Sequence, residues 1–569
     1  MSLILNIFLA ILAICFVSPL YSLYKGYGAA KQIGLPIFLT PIGKFNPLWH
    51  IIGPPFVYPL LERSPFQFLR DWAMFGDFGF PVADRGRIHQ RWGPAFLVVS
   101  PGSTTLVTDD PKAVEDVLRR TNAFIKPRII YENIEYFGPN VDTVNGEAWQ
   151  RHRRLTTPPF NERNSGIVWQ ESLKQASGML EKWTRAEVDG VETANDTMTL
   201  ALHVLTSAGF GKEYDFASGT AEVSDGHSMS YKDALAGILK DTLVAIIAWR
   251  VNGPSWLLPK AWTDMKECMA EFKQYMVEMA EEQRATIGSK QNMQHDNLMS
   301  ALVRANESSR AEGKGRYSLS DEEIYGNLFI WNLAGHDTTA TTLAYAFTVM
   351  SARPDVQDWL AEEVKTVFGD SNPQEWDYET AFPKLKRCLA TMVSYKSSKN
   401  WRSRLKAQQY ETLRLYGPVP VMAKFTESPQ TLAINDKEYS IPPDTHLTLN
   451  LYSLHLNKKH WGPNAEDWLP SRFIDDDGEL VVPAPSGTFL PWVNGPRVCP
   501  GKKFAQVEFV ATLATCLRDH RIRVVTEKQE TIQEAIQRVL EIAKDSELGK
   551  NPVVKMKHPE KARFRWERV

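Results

Sequence analysis

The chain has 569 residues, a formal net charge of −2 and a pI of about 6.7. The length permits a large globular core, and the near-neutral charge argues against a nucleic-acid-binding surface. The five cysteines are odd in number and widely spaced, which indicates neither a disulfide framework nor a Cys-x-x-Cys metal site and fits a reducing compartment.

An uncharged apolar run extends from Leu3 to Tyr24 and is rich in Leu, Ile, Phe and Ala. About twenty such residues span the hydrocarbon core of a bilayer. A cleaved signal peptide is the alternative, but such a peptide normally starts with basic residues and ends in small ones. Here the basic residues Lys25 and Lys31 follow the run, which predicts a single-pass transmembrane helix over residues 1–25 with the rest of the chain in the cytoplasm.

Residues 26–60 are apolar but contain six prolines, which exclude a second straight helix. Two interpretations stay open for this segment. It is either a hinge whose apolar surface lies in the membrane interface, or an ordinary N-terminal loop packed on the domain that follows.

Local patterns then predict a small β region and a series of helices. Strand-like residues 96–99 and 105–108 flank Pro101-Gly102, which is typical of a β-hairpin, and Pro111 opens a helix. Residues 165–287 are mainly helical in pattern. The charged, glycine-containing stretch 304–316 predicts a mobile loop.

A basic helix begins at Glu147, after an irregular stretch at 126–146. Trp149 and Arg153 are four residues apart in this helix, so they share one face. A solvated basic face is the usual explanation of such a pattern.

A long helix is predicted from the capping box at Ser320–Glu323 to Ala352, a length of about 45 Å. Its middle reads Ala-Gly-His-Asp-Thr, from Ala334 to Thr338. Hydroxyl side chains compete for backbone hydrogen bonds and are costly inside a buried helix, so this stretch is a candidate functional site. In the alternative interpretation, Thr338 only bonds back to the carbonyl one turn earlier.

The segment 393–409 interrupts an apolar helical stripe. It carries five basic residues and no acidic one, and its removal places Leu413 four residues after Met392, so that the stripe continues. We therefore predict an insertion that stems from a short retained intron. A genuine surface insertion is the alternative, although it would split a core helix awkwardly.

The stretch Trp492-x-x-Gly-x-Arg497-x-Cys499-x-Gly501 surrounds one cysteine with glycine and proline. This composition describes a tight loop that a flat ligand can approach closely. A helix predicted from Lys502 places its N-terminal amides near the sulfur, which favours thiolate over thiol. A buried structural cysteine is the alternative.

This loop resembles the haem-binding loop of the cytochrome P-450 family, in which the cysteine thiolate is the axial iron ligand. The family usually has Phe where this chain has Trp492. The resemblance covers residues 61–569 and implies a mainly α fold, helix-rich with a small β region. It also implies haem b as the cofactor and Cys499 as its metal ligand.

The resemblance further assigns expected roles to residues outside the loop. Asp337 and Thr338 would deliver protons during oxygen activation, because the long helix is similar to the family's oxygen-binding groove. Phe329, Leu333 and Ala334 of this helix would face the substrate, and the stretch 126–146 would define it. Glu411, Arg414 and Arg472 would form a structural ion-pair triad. The expected cofactor-binding residues are Trp149, Arg153, Ala334, Gly335, Lys424, Trp492, Arg497 and Gly501.

The implied activity is that of a monooxygenase that inserts one oxygen atom of O2 into a small lipophilic substrate. Its expected partners are an endoplasmic-reticulum membrane and an NADPH-cytochrome P-450 reductase, which would dock on Arg151, Arg154, Lys502 and Lys503. The wording of several motifs is similar to members from filamentous fungi, which favours secondary metabolism. The alternatives are a fatty-acid or xenobiotic hydroxylase, or an inactive or merely haem-binding membrane protein if residues 393–409 disrupt the core helix.

Overall fold

The computed structural model describes most of the chain in fourteen stretches. These are residues 17–44, 46, 49, 52–77, 79–185, 190–217, 223–286, 297–313, 317–392, 394–395, 408–409, 411–481, 485–548 and 553–569. Within these residues, no helix combines the length and the apolarity that a membrane crossing needs. The predicted anchor lies mostly at residues 1–16, outside the described part.

Helices dominate the described residues, as the sequence predicts. In chain order they are α1 (Ser18–Ile33), α2 (Tyr58–Glu62), α3 (Gln67–Gly76), α4 (Phe80–Asp84), α5 (Arg87–Trp92), α6 (Pro111–Arg119), α7 (Arg128–Tyr131), α8 (Gly146–Thr156), α9 (Glu162–Thr184), α10 (Ala194–Phe210), α11 (Tyr231–Leu239), α12 (Thr242–Arg250), α13 (Lys260–Thr286), α14 (Leu298–Ala311), α15 (Asp321–Ser351), α16 (Pro354–Phe368), α17 (Tyr378–Ala381), α18 (Lys386–Met392), α19 (Glu411–Tyr416), α20 (Leu451–Leu456), α21 (Lys458–Trp461), α22 (Lys502–Leu517) and α23 (Ile532–Lys544).

The strands form one five-stranded sheet and several two-stranded pairs. They are β1 (Ile37–Leu39), β2 (Ala95–Ser100), β3 (Ser103–Thr108), β4 (Ser394–Tyr395), β5 (Gln408–Gln409), β6 (Val421–Thr426), β7 (Gln430–Ile434), β8 (Lys437–Ile441), β9 (Thr445–Asn450), β10 (His520–Val524), β11 (Ser546–Leu548), β12 (Val554–Met556) and β13 (Phe564–Arg568). The order in the large sheet is β1-β2-β3-β9-β6, and the predicted hairpin is β2–β3.

The chain divides into two compact units. The first comprises residues 1–127, 419–466 and 484–498, and the second comprises residues 128–418, 467–483 and 499–569. The first unit holds the five-stranded sheet, and α6 covers it with a buried apolar face. The second unit is mainly helical: α15 lies against α10, and α9 packs along α22.

Helix α1 extends beyond residue 25, the predicted end of the membrane anchor. It continues to Ile33, and Gly34 ends it in the left-handed conformation with φ 82°. Ala30 and Ile33 are buried in the core of the first unit. The second half of α1 is therefore part of a packed unit, because its apolar side chains find partners there.

The expectation of a mobile loop at 304–316 is wrong for residues 304–311. These residues form the second half of α14, whose first turn is capped by the Asn297 side chain. Leu298 and Leu302 are fully buried, so one apolar face anchors the helix although its surface is charged.

Candidate active site

Helix α15 is buried along most of its length but opens in the middle. It starts with the predicted capping box, in which Ser320 and Glu323 bond reciprocally. Ala334 is exposed and Leu333 and Thr338 are partly exposed, whereas residues 324–332 and 339–351 are buried. Ala334 and Thr338 lie on one face because they are four residues apart. The long helix therefore presents a small side chain and a hydroxyl at its open face.

The hydroxyl of Thr338 donates a hydrogen bond to the Ala334 carbonyl at 2.8 Å. This is the bond of the alternative interpretation, and Thr342 and Thr348 make the same bond further along α15. Exposure, rather than the bond, distinguishes Thr338 from these threonines. The Thr338 oxygen can still accept a hydrogen bond from a donor on the open side.

Gly335 serves the packing of two helices. A Cβ atom at this position would lie 3.0 Å from a terminal carbon of Leu205, which belongs to α10. A side chain here would have to displace the end of the Leu205 side chain by a few tenths of an ångström. This contact gives Gly335 a structural role in the second unit, and its expected contact with a cofactor stays a prediction.

Cys499 lies two residues before Gly501, the N-cap residue of α22, and one proline separates them. The residue as a whole is exposed, whereas protein atoms surround its sulfur closely enough that desolvation raises the pKa of the thiol. The backbone amide of Gly501 and the charges of Arg153 and Lys502 oppose this rise but do not reverse it. The amide at the start of α22 thus favours the thiolate, as predicted, while burial acts in the opposite direction and is the larger effect on this pKa.

Phe160 links the cysteine loop to the long helix. Its ring would lie 3.8 Å from a Cβ atom at Gly501, and it packs edge-on against Trp331 of α15 at 5.7 Å between ring centroids. The same Cβ position at Gly501 is 3.9 Å from the Cys499 sulfur. Sequence reasoning missed Phe160, because its position after α8 carries no motif.

Helix α8 presents Trp149 and Arg153 side by side in one cavity of about 390 Å³, as their spacing predicts. Burial lowers the pKa of the Arg153 guanidinium, and the nearby Cys499 opposes this change. The structure thus brings the Trp149–Arg153 face and the cysteine sulfur into the same region of the second unit.

His152 attaches α8 to α15. It is fully buried, its Nε2 lies 3.2 Å from the Glu323 carboxylate, and its Nδ1 lies 2.9 Å from the side-chain amide of Asn327. These bonds fix the rotation of α8 and hence the direction of Trp149 and Arg153. No sequence motif identified either His152 or Asn327 as a positioning residue.

Glu411, Arg414 and Arg472 come together in one ion-pair triad. Glu411 Oε2 is 2.7 Å from Nε of Arg414, and Glu411 Oε1 is 3.0 Å from Nε of Arg472. The backbone amide of Leu469 also donates to Oε1 at 2.9 Å. Both Glu411 and Arg414 are fully buried, so their charges need these partners.

The helix that carries Glu411 is interrupted but resumes in phase. The hydroxyl of Thr412 in α19 donates to the carbonyl of Thr391 in α18 at 3.0 Å. With residues 393–409 removed, Thr412 would be the fourth residue after Thr391, which is the spacing of the other threonine bonds on α15. Strands β4 and β5 pair at the base of the intervening segment. The two helices therefore behave as one helix from which this segment leaves and returns.

The stretch 126–146, expected to face the substrate, is fixed to α15 by a close approach of two backbones. A Cβ atom at Gly326 would lie 2.3 Å from the Gly138 carbonyl oxygen, so glycine is required there. Phe329 differs from the expectation that it faces substrate. It is fully buried, with its ring 5.0 Å from that of Phe137 and 5.5 Å from that of Tyr136.

Three expected cofactor ligands lie in the first unit. Lys424 is buried in β6, and Trp492 and Arg497 are partly exposed in the loop that precedes Cys499. The boundary between the units falls between Val498 and Cys499. The roles of these three residues stay predictions.

The cations expected to dock a reductase are largely engaged within the second unit. Arg151 pairs with Glu323, and the guanidinium of Arg154 lies 4.9 Å from the ring centroid of Tyr317. The ammonium of Lys503 lies 4.4 Å from the Phe382 ring, and burial lowers the pKa of Lys502 to about 7. The Arg151–Glu323 pair and the lowered pKa of Lys502 reduce the positive charge that the four residues offer to a partner.

The residues around Cys499 fit a haem. Cys499 is an exposed residue with a soft sulfur ligand, and a guanidinium suited to a propionate lies near it. Cys499 would hold the iron, Trp149 and Arg153 a propionate, and Ala334 would leave room at the open face of α15. Metal coordination would stabilise the thiolate form of Cys499.

A family model described as Cytochrome P450 matches residues 81–390 and 402–547. A cytochrome P450 monooxygenase of Arthrobotrys oligospora is 28% identical over 573 residues, which cover 93% of this chain and 93% of that protein. The cytochrome P450 monooxygenase of the phomenoic acid biosynthesis cluster of Leptosphaeria maculans is 28% identical, with 93% and 94% covered. Cytochrome P450 monooxygenase 124 of Postia placenta is 30% identical, with 78% and 81% covered.

The chain belongs to the cytochrome P450 family. Its activity is that of a monooxygenase, an oxidoreductase that uses molecular oxygen. The family implies a haem-thiolate cofactor, a small-molecule substrate and a redox partner. The break in the family match, at residues 391–401, overlaps the predicted insertion at 393–409.

Proposed function

We propose that this protein binds haem b through Cys499 and inserts one oxygen atom of O2 into a small lipophilic substrate of fungal secondary metabolism. The observation that carries this proposal is the exposed residue Cys499 just before α22, in the same unit as the open face of α15. The bound haem would supply the redox chemistry that activates dioxygen.

The residues of the second unit would each support this chemistry in a separate way. Ala334 would leave space on the substrate side, because its side chain is small. Thr338 would offer its hydroxyl oxygen at the open face. Asp337, the residue directly before it on α15, would supply protons. The Glu411 triad would keep the structure beneath the cysteine loop rigid.

The substrate class is supported by a relative. A relative covering 93% of the chain takes its name from a biosynthesis cluster. Product analysis after co-expression with a reductase tests this assignment, and turnover of simple fatty acids alone would contradict it.

We also propose that the protein is held in the endoplasmic-reticulum membrane by residues 1–25 and receives electrons from an NADPH-cytochrome P-450 reductase. The apolar run from Leu3 to Tyr24 supports the anchor. Exposed apolar side chains in the first unit, among them Phe56 and Leu60, support further contact with lipid.

The alternative of an inactive protein depends on residues 393–409. The bond between Thr412 and Thr391 and the complete triad favour an intact core, because the interruption leaves Glu411 with both of its arginine partners. Haem content of the purified full-length protein tests this point, and a folded protein without haem would support the alternative.

Thiolate ligation is tested by the absorption spectrum of the reduced, carbon-monoxide-treated protein. We expect the red-shifted band of a thiolate-ligated porphyrin in the wild type, and its loss in Cys499→Ser. Cys516→Ser is the matched control, because Cys516 is a fully buried cysteine of α22, the helix that follows Cys499. Retention of the band in Cys499→Ser, or its absence in the wild type and in a variant without residues 393–409, would overturn the assignment.

A further inference from the structure

Asp337 is a buried acid whose partner comes from a distant part of the chain. The residue is 1% exposed, and neither carboxylate oxygen makes a well-oriented hydrogen bond within the described residues. Its one ion-pair partner there is Lys555, whose Nζ lies 2.8 Å from Oδ1. A buried carboxylate is costly without a countercharge, so this lysine offsets a cost that the helix itself cannot offset.

Lys555 connects this buried acid to the surface. It lies in β12, and its side chain is 34% exposed. The antiparallel register with β11 places Glu547 directly opposite, and Glu547 is exposed. Residues directly opposite in such a pair have Cβ atoms about 5 Å apart and point to the same face. The ammonium of Lys555 thus has a buried carboxylate on one side and an exposed one within reach on the other.

The hairpin that carries Lys555 has its own attachment to α15. The hydroxyl of Tyr345, about two helical turns beyond Asp337, lies 2.6 Å from Oγ of Ser546 in β11. Tyr345 also stacks on Tyr416 of α19 at 4.6 Å between ring centroids. The position of the hairpin therefore does not depend on the Lys555 side chain, which is free to change partner without moving the strands.

We propose that Lys555 is a positioning residue for proton delivery, and that its ammonium exchanges between Asp337 and Glu547. While it is paired with Asp337, the carboxylate is held toward the hairpin; when it moves to Glu547, Asp337 is released to take a proton from solvent and pass it to the Thr338 hydroxyl. Each turnover consumes two protons and two electrons, the latter from the redox partner, and yields one hydroxylated product and one water. The inference rests on the proposed function and deepens it.

The test compares Lys555→Met and Lys555→Arg with the wild type, in the full chain loaded with haem and supplied with a reductase. We expect Lys555→Met to slow product formation about tenfold or more, because the buried carboxyl of Asp337 without its countercharge favours the neutral form and holds its proton instead of passing it on. The same variant should raise hydrogen peroxide per NADPH consumed. The solvent deuterium isotope effect on turnover should increase. Lys555→Arg should restore most of the coupling between NADPH consumption and product formation, because it keeps the positive charge.

The control is Lys557→Met, which removes an ammonium from the same hairpin. Lys557 pairs with Asp545 at 2.7 Å and makes no ion pair with α15 in the described residues. The Lys557→Met variant should leave the coupling and the isotope effect unchanged. Glu547→Gln should shift both in the direction of Lys555→Met but less strongly, since solvent still receives the ammonium.

One further measurement tests the ion pair itself. Denaturant midpoints of Asp337→Asn, Lys555→Met and the double variant should be non-additive, which reports the ion pair without turnover. Three outcomes would each overturn the inference: additive midpoints, an unchanged yield of product per NADPH in Lys555→Met, or an equal loss of that yield in Lys557→Met. They would do so only if the carbon-monoxide spectrum of the protein kept its thiolate band. A wild type without that band would overturn the proposed function, and the inference with it.

Discussion

Glu411 shows how a single buried carboxylate organises its surroundings. It accepts bonds from two arginines and one backbone amide, and Arg414 also donates to the Asp467 carbonyl at 3.2 Å. A buried ion pair adds little when it is compared with an apolar replacement, but the loss of one partner leaves the other charge buried. The triad therefore constrains the geometry of α19 more than it adds stability.

Replacing Arg414 with methionine should lower the free energy of unfolding by about 3–5 kcal/mol, because Glu411 loses one buried partner. Haem retention after gel filtration should fall in the same variant. Chemical denaturation measures the first effect, with Arg523→Met as the control. Arg523 pairs with Glu567 at 3.6 Å on the surface, so its loss should cost less than about 1 kcal/mol. Equal effects of the two substitutions would contradict this prediction.

His227 is a second residue whose role follows from its immediate neighbours. It bonds to Glu271 and Glu278 of α13 at 3.0 Å each and stacks on Tyr275 at 3.5 Å between ring centroids. Burial lowers the pKa of the imidazole, but the bonds to the two carboxylates outweigh this effect and raise the pKa above 6.5. The charged ring therefore ties the segment before α11 to α13.

A raised pKa in the folded state stabilises the protein fully below the unfolded pKa, about 6.5, and this contribution is lost as pH rises through the folded pKa. The difference in unfolding free energy between the wild type and His227→Gln should therefore shrink from pH 6 toward pH 9. Denaturant titrations at several pH values measure it. In a Glu271→Gln/Glu278→Gln background the difference should no longer depend on pH in this window; a persistent slope would exclude the carboxylates as its cause.

At the scale of elements, the interruption between α18 and α19 is closed by local bonds. Thr412 bonds to Thr391 across the gap, and β4 and β5 pair at its base. A helix interior keeps its phase only if the residues on both sides have helical spacing, and the threonine bond shows that they do. The segment thus adds chain length without shifting Glu411.

Deletion of residues 393–409 should yield a folded, haem-binding protein whose unfolding free energy is higher by about 2–3 kcal/mol, the closure entropy of a loop of this length. The control deletes one residue more, 393–410, which rotates Glu411 by about 100° and should abolish the triad and haem binding. Thermal unfolding and haem content measure both. Loss of haem in the shorter deletion would show that the segment has a role of its own.

At the scale of the whole molecule, several highly exposed apolar side chains lie in the early part of the chain. Phe56, Leu60, Phe66 and Phe68 are each at least 60% exposed in the first unit. Apolar side chains at this density are typical of a surface that contacts lipid. They follow the apolar run at residues 3–24, so both features favour attachment to a membrane.

A variant that lacks residues 1–25 should therefore still bind vesicles of phosphatidylcholine and phosphatidylserine, but more weakly than the full chain. Replacement of Phe56, Leu60, Phe66 and Phe68 by serine in that variant should abolish the remaining binding. Flotation of the protein with vesicles measures both effects. A matched set of serine substitutions at the exposed residues Val223, Tyr317 and Val569 should leave the binding unchanged.

The sequence by itself determined the features that depend on short spacing. These include the cysteine loop before α22, the capping box of α15, the shared face of Trp149 and Arg153, and the phase of Glu411 across the interruption. Each follows from helical geometry or from the backbone freedom of glycine, and both act over a few residues.

Only the tertiary structure decided what depends on packing between distant segments. It selected the open face of α15 at Ala334 and Thr338, placed Phe160 between Gly501 and Trp331, and paired Asp337 with Lys555. It also surrounded the Cys499 sulfur with protein, which raises the pKa of the thiol against the effect of the Gly501 amide. The pKa of a group depends on the density of protein around it, and that density is a property of the folded chain.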